Sequence, residues 1–261
     1  MNRIDAKFKQ LKEEKKKGFI AYITGGDPDI KTTVGLVESF AKQNVDLVEI
    51  GVPFSDPMAD GPVNQRAAER ALAGGITLKK ILTAVENIRK KTQIPIVLFT
   101  YFNPVFQYGI EKFSRDAVSS GVDGILVVDL PPEEARPYQS VFKKYGLKTI
   151  YLVAPTSGKE RIKMICNLAE GFVYAVSRTG VTGTRKEVPK EIKNLIENIR
   201  KYTVLPIAVG FGVSNRMQVE TIQKTADAVV VGSAIVNKIA QNMNKPDLLK
   251  KVVDFVSKLI P

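Results

Sequence analysis

The chain has 261 residues, 44% of them hydrophobic, and a formal charge of +12 from 39 Lys and Arg against 27 Asp and Glu. It contains no His and a single Cys, Cys166, which excludes a Ser-His-Asp triad, a Cys-His pair, a His-ligated zinc site and a disulfide within the chain. The length suits one domain over residues 1–261 better than two small ones. Proton transfer must therefore fall to Asp, Glu, Lys or Tyr.

The chain starts with charged residues and has no apolar stretch long enough for a signal peptide or a membrane span, so we expect a cytoplasmic protein that binds no membrane. The excess of Lys and Arg could attract nucleic acid or anionic substrates. Because the lysines are scattered over outer helix faces without interleaved aromatic residues, a solvated surface is favoured and no nucleic-acid partner is expected.

Alternating apolar runs and amphipathic segments predict the fold. The predicted strands are Phe19–Ile23, Leu47–Ile50, Ile96–Thr100, Gly124–Val128, Lys148–Val153, Phe172–Val176, Ile207–Val209 and Ala228–Val231. The predicted helices are one with Ile4, Phe8 and Leu11, then Thr33–Gln43, Leu78–Lys90, Ile110–Ser119, Glu134–Tyr145, Lys159–Leu168, Lys190–Lys201, Ser214–Gln223, Ala234–Ala240 and Asp247–Leu259. Eight such repeats predict an α/β fold, a single (β/α)8 TIM barrel with an extra N-terminal helix. A doubly wound open sheet is the alternative.

Glu49 is a carboxylate inside the apolar run from Asp46 to Gly51. Burial disfavours its charged form and should raise the pKa of Glu49 toward neutrality, where the group can both give and take a proton. Side chains alternate along a strand, so if Leu47 fills the barrel interior, Glu49 points into the barrel mouth. The alternative is a buried Glu that is satisfied by a structural partner.

The loop after the second strand, residues 51–65, is long and contains three prolines. Proline stiffens a loop, so this one can hold Asp60 in place over the mouth, where barrel enzymes carry their catalytic groups. Asp56 and Asp60 could instead be ordinary turn residues beside Pro or Gly. For Asp60 the context favours a functional role, and for Asp56 the two interpretations are equal.

Three glycine-containing segments follow the last three strands and offer unhindered backbone N–H groups: Gly180–Gly183, Gly210–Gly212 and Gly232–Ser233. In barrels a phosphate is often held by the loops after the seventh and eighth strands together with a helix N-terminus. These segments therefore predict a phosphate-binding site at the same end of the barrel as Glu49.

Two stretches give the chain a resemblance to a known family: Val48–Pro57 with Ala59–Pro62, and Ser177–Gly183. Shorter matches are Gly25–Pro28, Asp129–Pro131 and Ala154–Thr156. With these residues the chain resembles the tryptophan synthase alpha subunit family over essentially its whole length. The resemblance implies a (β/α)8 barrel that cleaves indole-3-glycerol phosphate to indole and glyceraldehyde 3-phosphate, a retro-aldol reaction and a lyase step of tryptophan biosynthesis.

By the same resemblance Glu49 is the general acid and base, and Asp60 accepts the indole N–H and stabilises the indolenine cation. Further roles follow from matching positions. The indole slot is formed by Tyr22, Tyr101, Tyr174 and Phe211, each of which could instead be a core residue. The phosphate contacts are Gly183, Gly212, Gly232 and Ser233. Thr182 belongs to a lid that closes on substrate and can hydrogen-bond Asp60.

The resemblance also implies a partner, a beta subunit that carries pyridoxal phosphate, in an α2β2 assembly; the chain itself shows no cofactor or metal signature. Pro53, Asp56 and Asn103 match positions that contact the partner. Asn64, where the family commonly has an apolar residue, and Phe99, which adds bulk near the pocket, depart from the pattern. Three alternatives remain: a related phosphate-binding isomerase barrel, a stand-alone indole-glycerol-phosphate lyase, and a catalytically silent subunit that retains ligand.

Overall fold

The computed structural model describes residues 1–176, 190–210 and 212–261, which form nine strands and twelve helices. The strands are β1 (Gly18–Thr24), β2 (Leu47–Gly51), β3 (Ile96–Thr100), β4 (Gly124–Val127), β5 (Lys148–Thr149), β6 (Tyr151–Val153), β7 (Val173–Val176), β8 (Ile207–Gly210) and β9 (Ala228–Val231). The helices are α1 (Arg3–Glu13), α2 (Ile30–Phe40), α3 (Pro62–Ala73), α4 (Leu78–Arg89), α5 (Phe102–Tyr108), α6 (Ile110–Ser120), α7 (Pro132–Tyr145), α8 (Lys159–Leu168), α9 (Lys190–Arg200), α10 (Arg216–Gln223), α11 (Ser233–Ala240) and α12 (Leu248–Leu259). None of these helices is long and apolar enough to cross a membrane.

All strand pairs are parallel, and the order is β5-β4-β3-β2-β1-β9-β8-β7-β6. β5 and β6 are two halves of the predicted strand Lys148–Val153, with Ile150 between them. Because β5 pairs with β4 and β6 pairs with β7, this one segment closes the ring. The predicted (β/α)8 barrel with its N-terminal helix is confirmed, and the open doubly wound sheet is not adopted.

Two helices of the structure, α3 and α5, were not predicted from the sequence. α3 begins at Pro62, inside the predicted loop 51–65, because proline is favoured at the first position of a helix, where its missing N–H is not needed. α5 is a seven-residue helix that was not predicted, since a segment this short carries little periodicity. The loop that presents Asp60 therefore ends in a rigid helix.

The barrel interior is filled by side chains that alternate with those facing the outer helices. Leu47 lies in the interior cluster, whereas Val48 and Ile50 pack outward against the helices. α1 closes the N-terminal end of the barrel because its apolar face, formed by Ile4, Phe8 and Leu11, joins the interior cluster. Glu49 is thus the next inward residue after Leu47 toward the C-terminal end, as the alternation predicts.

Aspartates form a repeated motif at the N-terminal end of the barrel. Asp123 donates its N–H to the Ile96 carbonyl at 2.9 Å and accepts the Ile96 N–H at 2.8 Å. Asp46 makes the same pair of bonds with Phe19, and Asp227 makes them with Ile207. Each of these aspartates directly precedes a strand, so the motif fixes the starts of neighbouring strands.

Candidate active site

Glu49 occupies the middle of β2, with Tyr22 of β1 opposite it in the register. The residue is 1% exposed, and neither carboxyl oxygen has a hydrogen-bond partner in the part of the chain that the structure describes. Burial alone raises the pKa of Glu49 to about 8, since removal from water penalises the charged form. At neutral pH the group is therefore mostly a protonated acid that is poised to exchange its proton.

Asp60 lies at the end of the β2–α3 loop, two residues before α3 begins. Its Oδ2 accepts the Tyr101 hydroxyl at 2.9 Å, and its Oδ1 accepts the Asn64 amide at 3.4 Å. Gln65 Nε2 donates to the Asp60 carbonyl at 2.9 Å and anchors the main chain. Burial raises the pKa of Asp60, while the hydrogen bonds from Tyr101 and Asn64 act in the opposite direction.

A cavity of about 350 Å³ at the C-terminal end of the barrel brings the two carboxylates together. Its described lining residues are Tyr22, Glu49, Ala59, Asp60, Gly61, Pro62, Val63, Asn64, Phe99, Tyr174, Gly212, Val230, Gly232 and Ser233. One space therefore contains an acid of raised pKa, a second carboxylate, aromatic walls and a glycine-rich end.

The aromatic walls depend on two glycines that end their strands. A Cβ on Gly51 would lie 2.3 Å from the Tyr22 hydroxyl, and a Cβ on Gly210 would lie 2.2 Å from the Tyr174 hydroxyl. Any larger residue would push these buried rings out of place. Phe99 meets Tyr22 edge to face with ring centroids 5.5 Å apart, so it adds a third flat side chain to the wall.

The glycine-rich end of the cavity is the start of α11. Gly232 is the N-cap residue of this helix, and no side chain of the described residues caps it by a hydrogen bond. Gly212, with φ of +66°, adopts a left-handed backbone conformation that favours glycine. Free N–H groups and the positive end of the helix dipole make this terminus suited to an anion such as phosphate.

The sequence profile of the family described as Tryptophan synthase alpha chain matches residues 8–259. The chain belongs to this family. It is 50% identical over 259 residues to the tryptophan synthase alpha chain of Geotalea daltonii, covering 99% of this chain and 98% of that one. It is 48% identical, also over 259 residues, to the relative from Caldanaerobacter subterraneus, with 99% and 98% covered.

Solved structures agree with this assignment. The tryptophan synthase subunit alpha of Legionella pneumophila superposes with a TM-score of 0.92 at 40% identity, covering 99% of this chain and 97% of that one. A chain from the tryptophan synthase a2b2 complex of Pyrococcus furiosus gives a TM-score of 0.86 at 39% identity, with 93% and 97% covered. Tryptophan synthase alpha chains are lyases that cleave indole-3-glycerol phosphate in tryptophan biosynthesis. The family and activity implied by the sequence resemblance are thereby confirmed.

Several site residues expected for a tryptophan synthase alpha chain lie elsewhere than in the cavity wall. Tyr101 is buried behind Asp60, to which it donates, and is not among the described lining residues. Pro53 is buried, whereas Asp56 and Asn103 are exposed at the barrel mouth. Three expected residues lie outside the described part of the chain: Thr182, Gly183 and Phe211.

The structure also adds residues to the site that sequence reasoning did not assign. Asn64, singled out only as a departure from the family pattern, contacts Asp60 directly. Asp27, after β1, forms a bidentate pair with Arg70 of α3 at 2.8 and 2.7 Å and so holds α3 against β1. The spacing of four residues could have indicated the first contact, because Asp60 lies just before α3 and Asn64 lies in its first turn. The second joins residues 43 apart and has no local signal.

Other possible sites in the described residues are less suited to chemistry. No group of three His, Cys, Asp or Glu side chains is arranged to hold a metal there. A cavity of about 470 Å³ lies at the opposite end of the barrel, where lysines surround Asp227. Asp227 already accepts from Arg200 and Lys17, and barrel enzymes place their chemistry at the C-terminal face.

Proposed function

We propose that this chain, acting as one barrel domain, cleaves indole-3-glycerol phosphate with Glu49 as general acid and base and Asp60 as the group that stabilises the cation. The observation that carries the proposal is the single cavity in which an unpartnered, buried Glu49 faces the same space as Asp60 and the α11 terminus. Family membership supplies the reaction, and the local geometry supplies the assignment of roles.

The first step is proton transfer to the substrate. Because the pKa of Glu49 is raised to about 8, its carboxyl holds a proton at neutral pH. We assign this proton to indole C3, whose protonation turns the ring into an indolenine cation. The carboxylate that remains has no hydrogen-bond donor among the described residues, so it is a strong base in the next step.

In the second step the Glu49 carboxylate takes the proton of the hydroxyl on the carbon attached to C3. A carbon–oxygen double bond forms, the bond from that carbon to C3 breaks, and its electron pair returns to the ring. The products are indole and glyceraldehyde 3-phosphate. One proton enters and one leaves, so Glu49 is restored to its protonated form.

Asp60 would stabilise the charge that develops between these steps. The cation is shared with the indole nitrogen, and an anion that faces this nitrogen lowers the barrier because its attraction grows as the charge forms. Tyr101 and Asn64 both donate to the Asp60 carboxylate and thus favour its charged form. The two carboxylates therefore perform different tasks because their surroundings differ.

The indole ring and the phosphate of the substrate match two further parts of the cavity. Tyr22, Tyr174 and Phe99 provide flat faces for the indole ring. The backbone of Gly232 and Ser233 at the start of α11, together with Gly212, would hold the phosphate. Gly183, Thr182 and Phe211 remain predicted contacts that lie outside the described residues.

Exchange of Glu49 for Gln tests the central role. We expect Glu49→Gln to lower kcat by about 10²–10⁴-fold, the usual contribution of a general acid–base, because the amide is of similar size but cannot transfer the proton. Turnover of indole-3-glycerol phosphate is the measurement. Glu86→Gln, on the exposed face of α4, is the matched control. Full turnover by Glu49→Gln would remove Glu49 from the mechanism.

The rim of the cavity supports a protein partner, which we propose to be a pyridoxal-phosphate-bearing beta chain in an α2β2 assembly. Met58 is 92% exposed and Phe106 is 54% exposed at the mouth, beside the exposed Asp56 and Asn103. Large apolar side chains on an otherwise charged surface are typical of interaction sites. Release of indole at this mouth would place the product next to the partner.

Titration with a tryptophan synthase beta chain tests the partner. We expect turnover of indole-3-glycerol phosphate to rise when the beta chain is added. The Asp56→Arg variant should need more beta chain to reach the same rise than the Asp254→Arg variant, which is an exposed control on α12. A rate that does not respond to the beta chain would favour a stand-alone lyase that releases free indole.

A further inference from the structure

Asn64 lies in the first turn of α3, with its amide directed at the Asp60 carboxylate. Its Nδ2 is 3.4 Å from Asp60 Oδ1, and the residue also lines the cavity that contains Glu49. In enzymes without substrate, hydrogen bonds between catalytic groups are often long, so this distance is compatible with a catalytic contact. Asn64 is therefore placed to act on the reaction through Asp60.

The orientation of the Asn64 amide follows from its neighbour. An ionised carboxylate accepts hydrogen bonds and cannot donate them, so the amide must turn its nitrogen toward Asp60 and its oxygen away. Asn64 Oδ1 is buried and has no hydrogen-bond partner among the described residues. An isolated buried acceptor is unfavourable for folding, so among the described residues the contact with Asp60 is the interaction that accounts for an amide at this position.

Asn64 and Tyr101 bind different oxygens of the same carboxylate. Tyr101 donates to Oδ2 at 2.9 Å, and Asn64 donates to Oδ1. One donor alone would leave the carboxylate free to rotate about its bond to Cβ. Two donors on the two oxygens fix the plane of the carboxylate and still leave lone pairs for a ligand N–H, because each oxygen has two.

We propose that Asn64 is a positioning residue that orients the Asp60 carboxylate and keeps it ionised for the indole nitrogen. This inference rests on the role proposed above for Asp60. It adds a residue of α3 to the catalytic arrangement at a position where the family resemblance leads one to expect an apolar side chain.

The charge state of Asp60 provides a readout that a purely structural role would not change. Among the described residues, the titratable groups that face Asp60 are the phenols of Tyr22 and Tyr101 and, across the cavity, Glu49. Burial raises the pKa of Asp60, and the Asn64 bond opposes this rise. Loss of the amide should therefore raise the pKa of Asp60 further, which moves the acid limb of the kcat–pH profile to higher pH.

The test compares Asn64→Leu with the wild-type chain and with Asn64→Gln. For Asn64→Leu we expect about a tenfold loss of kcat, little change in KM and an acid limb at higher pH, whereas Asn64→Gln, which keeps a donor, should recover part of both effects. Gln65→Leu is the matched control, since Gln65 binds the Asp60 main chain and not its carboxylate, and it should not move the acid limb. Unchanged kcat, or a lower kcat with an unmoved acid limb, would overturn the proposal.

A double-mutant cycle separates this inference from the proposed function. If Asn64 acts through Asp60, adding Asn64→Leu to Asp60→Asn should produce almost no further loss of kcat. Full additivity of the two losses would overturn the role of Asn64 while leaving that of Asp60 intact. If Asp60→Asn alone retains full kcat, the proposed function of Asp60 fails, whatever Asn64→Leu does.

Discussion

The buried carboxylates Asp123 and Glu49, at the two ends of the barrel, differ in their hydrogen bonding. At the N-terminal end Asp123 accepts three hydrogen bonds, from Arg3, Arg89 and the Ile96 N–H. At the C-terminal end Glu49 is as deeply buried and has no partner among the described residues. A carboxylate that is fully bonded holds strands together, whereas an unbonded one stays available to exchange a proton with a ligand.

Asp27 shows that a buried carboxylate at the C-terminal end of the barrel can also have hydrogen-bond partners. It lies at the same end as Glu49 and is equally buried, yet Arg70 binds both of its oxygens. The fold can thus supply a cation to a carboxylate at this end. Because none of the described residues supplies a cation to Glu49, its raised pKa reflects the local environment of β2 and marks a functional site.

The largest effect on stability should come from breaking the N-terminal motif. Asp123→Ala leaves the nearly buried Arg89 without its partner, and we expect the free energy of unfolding to fall by about 3–5 kcal/mol. The loss should be smaller for Asp46→Ala and smallest for Asp227→Ala, because exposure weakens an ion pair. The side chain of Asp123 is 3% exposed, that of Asp46 is 17% exposed and that of Asp227 is 29% exposed. Denaturant unfolding of the three variants measures this series.

Lys250→Gln, which breaks the exposed pair between Lys250 and Asp254 on α12, is the control for this series. It should leave the free energy of unfolding almost unchanged, because solvent screens an exposed ion pair. Equal losses at Asp123 and Asp227 would contradict the dependence on burial. They would indicate that the backbone bonds that all three aspartates share determine the stability of this end.

The contrast between Glu49 and the hydrogen-bonded aspartates also explains how much of the structure the sequence could predict. A lone Glu in an apolar run is visible without coordinates, so the burial of Glu49 and its direction followed from the pattern of β2. The strands of the barrel were predicted for the same reason, since each is a continuous apolar run. The break at Ile150 and the short helix α5 were missed because they leave no periodic signal.

The sequence could not predict which side chains contact each buried aspartate. Asp27 and Asp60 both follow a barrel strand beside Pro or Gly, and nothing local distinguishes the one that binds an Arg from the one that faces the cavity. Arg70 reaches Asp27 only because α3 packs against β1. The contact of Asn64 with Asp60 likewise depends on where α3 begins. The roles of Thr182, Gly183 and Phe211 stay predictions from the family resemblance.

A smaller effect on stability should appear at Glu49 when the pH changes. The folded-state pKa of Glu49, about 8, lies above the ordinary glutamate value of 4.5, so the folded chain holds a proton that the unfolded chain releases. The stabilisation from this proton is complete below the unfolded pKa and is lost as the pH rises toward about 8. Glu49→Gln removes this dependence, because the amide does not titrate.

Unfolding of the wild-type and Glu49→Gln chains at matched pH measures this loss. Between about pH 6 and about pH 7 the wild type should lose about 1 kcal/mol relative to the variant, since one extra bound proton corresponds to about 1.4 kcal/mol per pH unit. The exposed Glu86→Gln variant controls for the loss of a carboxylate elsewhere. A constant difference across this range would mean that Glu49 is already ionised in the folded chain, and the contrast between the two ends of the barrel would then fail at Glu49 itself.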